Sequence, residues 1–105
     1  MDNFRIIYLI LKHLEERMGD AIDIEKISHE RFGISFARWE TLLRMMQEEG
    51  YIKGLMYEQT MSDSSPHVVM PIRPRITLQG LEYLAENSMM QKMAKAAKQV
   101  IDMIP

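Results

Sequence analysis

The side chains that could carry acid–base or metal chemistry are three histidines and two pairs of neighbouring glutamates. His13, His29 and His67 fall on separate predicted elements, so their spacing does not match a metal-binding motif on one helix. Glu15–Glu16 and Glu48–Glu49 are adjacent in sequence, and adjacent side chains diverge on a helix. The chain has no cysteine for thiolate catalysis or zinc, and its five glycines do not form a phosphate-loop motif. We therefore expect no enzymatic activity, no catalytic residue, no metal site and no cofactor.

DNA recognition is a second kind of chemistry, and it needs hydrogen-bond donors on one helix face and cations beside the phosphates. The segment after Ser35 is predicted to be a helix, on which Arg38, Thr41 and Met45 share one exposed face. Cations in the β segment that follows could contact the DNA backbone. The predicted DNA-contacting residues are Ser35, Arg38, Thr41, Arg44, Met45, Lys53, Arg73 and Arg75.

The charge distribution argues against DNA binding. The formal net charge is −2, and residues 1–50, which contain the predicted recognition helix, have seven Lys and Arg against ten Asp and Glu. Residues 51–105 have six against five. Nonspecific affinity for DNA depends on neutralising phosphates, and typical DNA-binding domains are strongly basic. Two alternatives stay open: Arg38 and Arg44 pair with neighbouring glutamates or water, or the domain binds another protein.

The first half of the chain has the pattern of three helices. Residues from Asn3 to about Arg17 form the first, capped by Asp2 or Asn3, and a short second helix runs from a cap at Asp23 to Gly33. A third runs from Ser35 to about Glu49 and ends at Gly50. The side chains that the spacing predicts to be buried on these helices are Phe4, Ile6, Ile7, Leu9, Ile10, Leu11, Leu14, Met18, Ile24, Ile27, Phe32, Phe36, Trp39, Leu42, Leu43 and Met46.

Residues 51–76 are rich in aromatic and β-branched residues and resemble a hairpin with a Ser-rich tip. If His67 to Ile76 is extended, Val68, Met70, Ile72 and Ile76 share one face, while Pro71 and Pro74 favour an edge strand or a bulge. Thr77 can cap a fourth helix that ends near Asn87 and turns three leucines inward. These leucines are Leu78, Leu81 and Leu84.

The C-terminal segment, residues 88–105, has the pattern of a further helix. Ser88 and Gln91 have the spacing of a capping box. The helix would carry an apolar stripe made of Met89, Met93, Ala97, Val100 and Ile104. This stripe either folds back on the first helix or exchanges with a second copy, and we favour a homodimer with these five residues at the interface.

These elements predict one domain over residues 1–105, with a core at 1–87, a wing at about 51–76 and a C-terminal helix at 88–105. A short helix joined by a tight turn to a longer one, followed by a hairpin, is typical of a winged helix-turn-helix. The fold class is therefore mainly α with a small β-hairpin. The longest apolar run, Ile6 to Leu11, is too short to cross a membrane.

Three segments, Phe4–Lys12, Glu49–Gly54 and Ile76–Ser88, resemble the YjcQ-like family of small proteins from low-GC Gram-positive bacteria and their phages. The resemblance covers nearly the whole chain and implies a winged-helix-like fold, but no particular activity. The element order and the exposed face with Arg38, Thr41 and Arg44 favour a cytoplasmic, dimeric DNA-binding regulator of bacterial or phage origin. The alternative is a protein–protein interaction module on the same scaffold.

Overall fold

A computed structural model describes residues 1–88 of the chain. Helix α1 spans Asn3–Glu16, and the carboxylate of Asp2 caps it by accepting a hydrogen bond from the Arg5 N–H at 2.9 Å. Its apolar residues fall on more than one face, because the rest of the domain packs around it. The buried residues of α1 are Ile6, Ile7, Ile10, Leu11, His13 and Leu14.

The single short helix predicted after Asp23 is wrong, because the segment divides into two elements. A 3₁₀ helix spans Ile24–Ile27, and helix α2 spans His29–Phe32. Ser28 separates them in an extended conformation, and its hydroxyl oxygen accepts a hydrogen bond from the Arg31 N–H that begins α2. The predicted stop at Gly33 is confirmed, since this residue has a φ of 66° in the left-handed region.

Helix α3 spans Phe36–Glu48 and is capped by Ser35 as predicted. Its apolar face packs on α1 and on the 3₁₀ helix. The indole N–H of Trp39 donates a hydrogen bond to the carbonyl of Ile27 at 2.8 Å, which fixes the position of the 3₁₀ helix against α3. Helices α2 and α3 thus form the helix-turn-helix unit.

The hairpin after α3 is confirmed, although its strands are short. Strand β1 (Ile52–Lys53) pairs with β4 (Arg75–Ile76), and β2 (Tyr57–Glu58) pairs with β3 (His67–Val68), both antiparallel. Between the two ladders, residues 69–74 on the returning arm lie opposite residues 54–56 on the outgoing arm. This irregular stretch contains both prolines that the sequence placed at a bulge.

Helix α4 follows β4 and includes residues 78–88. Thr77 caps it, since its hydroxyl accepts a hydrogen bond from the Gly80 N–H at 3.1 Å. Ser88 is helical, so the non-helical cap predicted at this position is not present. Residues 89–105, which hold the predicted additional helix and its apolar stripe, lie outside the described residues.

The architecture is mainly α with a small antiparallel hairpin, which is a winged helix-like fold. Its core consists of the inner faces of α1 and α3, the 3₁₀ helix, Phe32 of α2, buried residues of the wing and Leu84 of α4. No helix among residues 1–88 is long and apolar enough to cross a membrane.

Some residues predicted to be buried are exposed. Phe4 and Leu78 lie in the first turns of their helices, where fewer elements pack against the chain. Phe36 likewise begins α3, and Met18 lies beyond the end of α1. Met70 is half exposed because regular strand geometry ends at Val68, so the alternation of buried and exposed residues does not continue.

Candidate interaction surface

A groove opens between α1 and α3, beside the predicted recognition face. Its volume is about 390 Å³. Phe4 contributes a side chain that is 74% exposed, and Met45 contributes one that is 50% exposed. We call this feature the α1–α3 groove; it is lined by Asn3, Phe4, Ile7, Ala37, Arg38, Thr41, Leu42 and Met45.

The predicted recognition residues Arg38 and Thr41 line this groove, but their donors are engaged within the chain. The Arg38 guanidinium donates to the side-chain oxygen of Asn3, with its closest nitrogen at 2.7 Å, and to the carbonyl of Met1 at 3.0 Å. The Thr41 hydroxyl donates to the carbonyl of Ala37 at 2.8 Å. The Ser35 hydroxyl oxygen accepts the hydrogen bond of the capped first turn. Within the described structure, Arg38 is therefore paired with α1 and not with a glutamate.

Arg44 points to the other side of α3, toward the wing. Its guanidinium donates to the carbonyl of Pro66 at 3.0 Å and lies 5.1 Å from the centre of the Tyr57 ring, a cation–π distance. A second cavity, of about 350 Å³, opens here beside Gln47 and Glu48. Burial raises the pKa of the Tyr57 phenol above its usual value. Arg44 thus fastens the wing to α3.

Two further side chains of α3 hold the wing. The carboxylate of Glu40 is buried and accepts hydrogen bonds from the Val68 N–H and from Nδ1 of His67. The side-chain amide of Gln47 bonds both backbone polar groups of Leu55. The wing is consequently attached to α3 through polar contacts along most of the helix.

The remaining predicted DNA contacts lie at the base of the wing. Lys53 and Arg75 are directly opposite each other in the β1–β4 ladder, and Arg73 lies two residues before Arg75. All three are exposed, and within residues 1–88 none forms an ion pair with a carboxylate. The wing tip, residues 58–67, contains no Lys or Arg. The predicted cations therefore lie at the base of the hairpin and not at its tip.

The structure thus distributes the predicted site over three places. Arg38, Thr41 and Met45 lie together in the α1–α3 groove, and Arg44 lies against the wing. The third place is the wing base with Lys53, Arg73 and Arg75. The five predicted interface residues of the C-terminal segment lie outside the described residues.

Sequence reasoning missed the contribution of Asn3 and Phe4 to this surface and the burial of Glu40. Asn3 contacts Arg38 across 35 positions of the chain, and Glu40 contacts Val68 across 28. No short-range pattern encodes such contacts. The local signal was helical spacing, because Glu40 lies three residues before the buried Leu43 and therefore shares its side of α3.

The sequence of the chain can be compared with those of known proteins. The family model described as YjcQ protein matches residues 8–103. The chain belongs to the YjcQ family. It is 30% identical over 104 residues to the Uncharacterized protein YjcQ of Bacillus subtilis (strain 168), and the match covers 99% of both chains. No solved structure matches the YjcQ-family chain described here.

Proposed function

We propose that this YjcQ-family chain is a protein-interaction module that binds an apolar segment of a protein in the α1–α3 groove. The observation that carries the proposal is the exposure of Phe4 and Met45 in one groove of about 390 Å³. Large exposed apolar side chains that gather in a concave site are typical of protein-binding surfaces. Methionine is suited to this role because its flexible side chain adapts to a partner.

The side chains of α3 that the sequence predicted to read DNA bases are poorly prepared to do so. Arg38 and Thr41 donate hydrogen bonds to α1 and to α3 itself, and Arg44 donates to the wing. Each of these bonds would have to break before its donor could reach a base edge. Apolar contact with Phe4 and Met45 requires no such exchange. The groove therefore favours a protein ligand. Separately, we propose a cytoplasmic location, because a small domain without cysteine needs no disulfide.

Photo-crosslinking in the native host tests this function. A photoreactive phenylalanine analogue placed at Phe4 reports what occupies the groove, and the same analogue at Leu78 is the matched control, since Leu78 is 79% exposed outside the groove. We expect a protein adduct of defined mass at position 4 that is absent at position 78. Equal labelling at both positions, or no protein adduct at position 4, would contradict the proposal.

Duplex DNA binding is a second candidate, and the wing base supports it. Lys53 and Arg75 face each other across the ladder, where like charges destabilise a sheet. A phosphate placed between them would relieve this repulsion, and Arg73 adds a third cation. In this candidate the YjcQ-family chain is a bacterial or phage regulator that contacts the DNA backbone through the wing base.

Fluorescence anisotropy of a labelled 20-base-pair duplex at low salt tests this candidate. Replacing Lys53 and Arg75 together by alanine should weaken binding and reduce its salt dependence, because about two phosphate contacts are lost. Arg38→Ala is the comparison for the recognition face of α3. Absence of binding by the unmodified chain at low salt would eliminate DNA as a ligand.

A further inference from the structure

We infer that the occupant of the α1–α3 groove is residues 89–105 of a second copy of this chain, so that two chains exchange their C-terminal segments in a two-fold dimer. The inference rests on the proposed function, since it names the protein segment that the groove binds. It follows from the sequence of residues 89–105, from the position of their apolar stripe around a helix and from charge.

Helix α4 includes Ser88, where the sequence alone predicted a break. From residue 89 to residue 104 the chain has no glycine or proline and contains many strong helix formers, namely methionine, glutamine, lysine and alanine. The sequence therefore favours continuation of the helix in one direction.

The angular position of the stripe leads to the same conclusion. Leu84 is the buried side chain of α4 and belongs to the core cluster with α1. At ~100° per residue, Met93 lies about 180° around the helix from Leu84, because nine residues separate them. Ala97, Val100 and Ile104 fall within about 40° of that opposite direction, by the same count. On a helix that continues α4, the stripe would therefore lie on the side opposite Leu84 and the core of its own chain, where a second copy of the chain can cover it.

The segment is long enough to span the groove, and the charges of the two partners are complementary. Seventeen residues of helix are ~26 Å long, whereas the α3 side of the groove, from Ala37 to Met45, is ~12 Å long. Residues 89–105 have three lysines and one aspartate, whereas residues 1–88 have ten Lys and Arg against fourteen Asp and Glu. Asp2 lies beside Asn3 at one end of the groove. A basic amphipathic segment therefore meets an acidic body with an apolar groove.

The two-fold arrangement is closed, because each chain offers one groove and one C-terminal segment. The docked segment would cover Arg38, Thr41 and Met45, which line the groove. The face of α3 that the sequence predicted to read DNA would then be occupied in the dimer.

Sedimentation velocity of the full chain, from about 1 to 100 µM, tests the inference. We expect a dimer whose dissociation constant rises at least about tenfold in Met45→Glu and in Met93→Glu, because each change places a charge in an apolar contact. Met56→Glu is the matched control, since Met56 is 70% exposed on the wing arm outside the groove. Circular dichroism establishes that every variant is folded. A monomer throughout this range, or a dimer unaffected by Met45→Glu, would overturn the inference.

Crosslinking identifies which chain supplies the segment. Unlike the glutamate variants, it does not require the fold to tolerate a buried charge. The natural chain has no cysteine, so Met45→Cys and Ala97→Cys each introduce a single thiol without background. A short bismaleimide should join these two variants when they are mixed, one carrying a size tag. A double variant carries both Met45→Cys and Ala97→Cys in one chain. A crosslink formed within a single monomeric chain of this variant would contradict the exchange of C-terminal segments between two chains. A photo-adduct at Phe4 with a different protein would overturn this inference and leave the proposed function intact, whereas absence of any adduct would contradict both.

Discussion

The carboxylate of Glu40, on α3, accepts a hydrogen bond from the backbone N–H of Val68, in strand β3, at 2.9 Å. Its other oxygen lies 3.1 Å from Nδ1 of His67. Glu40 is only 8% exposed, so these bonds form where little water can replace them. A helix side chain thereby provides a partner for the wing backbone at a strand that has only two residues.

Replacement of Glu40 by alanine should lower the free energy of unfolding by about 2–3 kcal/mol, since it removes a charged acceptor and leaves a buried N–H without a partner. Glu40→Gln should cost less, because the amide oxygen can still accept from Val68. Urea denaturation measures both, with Glu48→Ala as the control on the exposed face of α3. Equal losses for Glu40→Ala and Glu48→Ala would show that this contact contributes nothing specific.

His13 should make stability depend on pH. Its Nε2 accepts a hydrogen bond from the Asp23 N–H at 3.0 Å, which requires that nitrogen to be unprotonated. Burial lowers the pKa of His13 below the usual 6.5, and the charge of Lys26 lowers it further. The unfolded chain therefore binds this proton first, so the stabilisation is present above pH 6.5 and is lost as the pH falls toward the folded pKa.

Thermal melts between pH 5.5 and 7.5 measure this effect. We expect the melting temperature to fall as the pH is lowered, and to fall less in His13→Gln. His29→Gln is the matched control, since it removes a histidine that bonds the carbonyl of Ile34 instead of accepting from an N–H. A steeper fall in His13→Gln than in the natural chain would reverse the assigned direction.

Gly80→Ala should destabilise the domain although Gly80 lies in a helix. Alanine normally improves an exposed helix position by about 1 kcal/mol. At this position a Cβ would collide with the carbonyl oxygen of Tyr51 and would lie 2.7 Å from a side-chain carbon of Ile76. The backbone of Tyr51 also accepts the Thr77 N–H and cannot retreat without loss of that bond. Chemical denaturation should show a net loss of stability, and any gain would mean that α4 shifts freely on the wing base.

Tyr57→Phe should leave stability unchanged or raise it slightly. The hydroxyl of Tyr57 is buried, and within the described structure it has no hydrogen-bond partner, so its removal ends a desolvation cost. The ring that lies beneath Arg44 is retained in phenylalanine. Calorimetry compares the two chains, with Tyr83→Phe as a second tyrosine substitution. A loss above about 1 kcal/mol would reveal a bond to the hydroxyl that forms in solution.

Local chemistry made several elements predictable from sequence. Ser35, Gly33 and Thr77 mark the helix ends, because a cap oxygen and a left-handed glycine act on backbone groups only a few residues away. The buried face of α3, with Trp39 and Met46, follows from helical periodicity alone. The division of the second helix at Ser28 was not predicted, because its apolar spacing suits either one helix or two.

The sequence by itself determined the hairpin after α3, the caps of α1, α3 and α4, the apolar faces of α1 and α3 and the family, since each depends on short-range spacing or on the whole string of residues. Only the tertiary structure decided that Arg38 is held by Asn3, that Glu40 is buried beneath the wing and that Phe4 lines a groove instead of joining the core. These contacts connect residues 28 to 35 positions apart or depend on which helix ends pack together. Periodicity identifies which face of a helix is apolar, but the packing of the other elements decides how far along that face the burial extends.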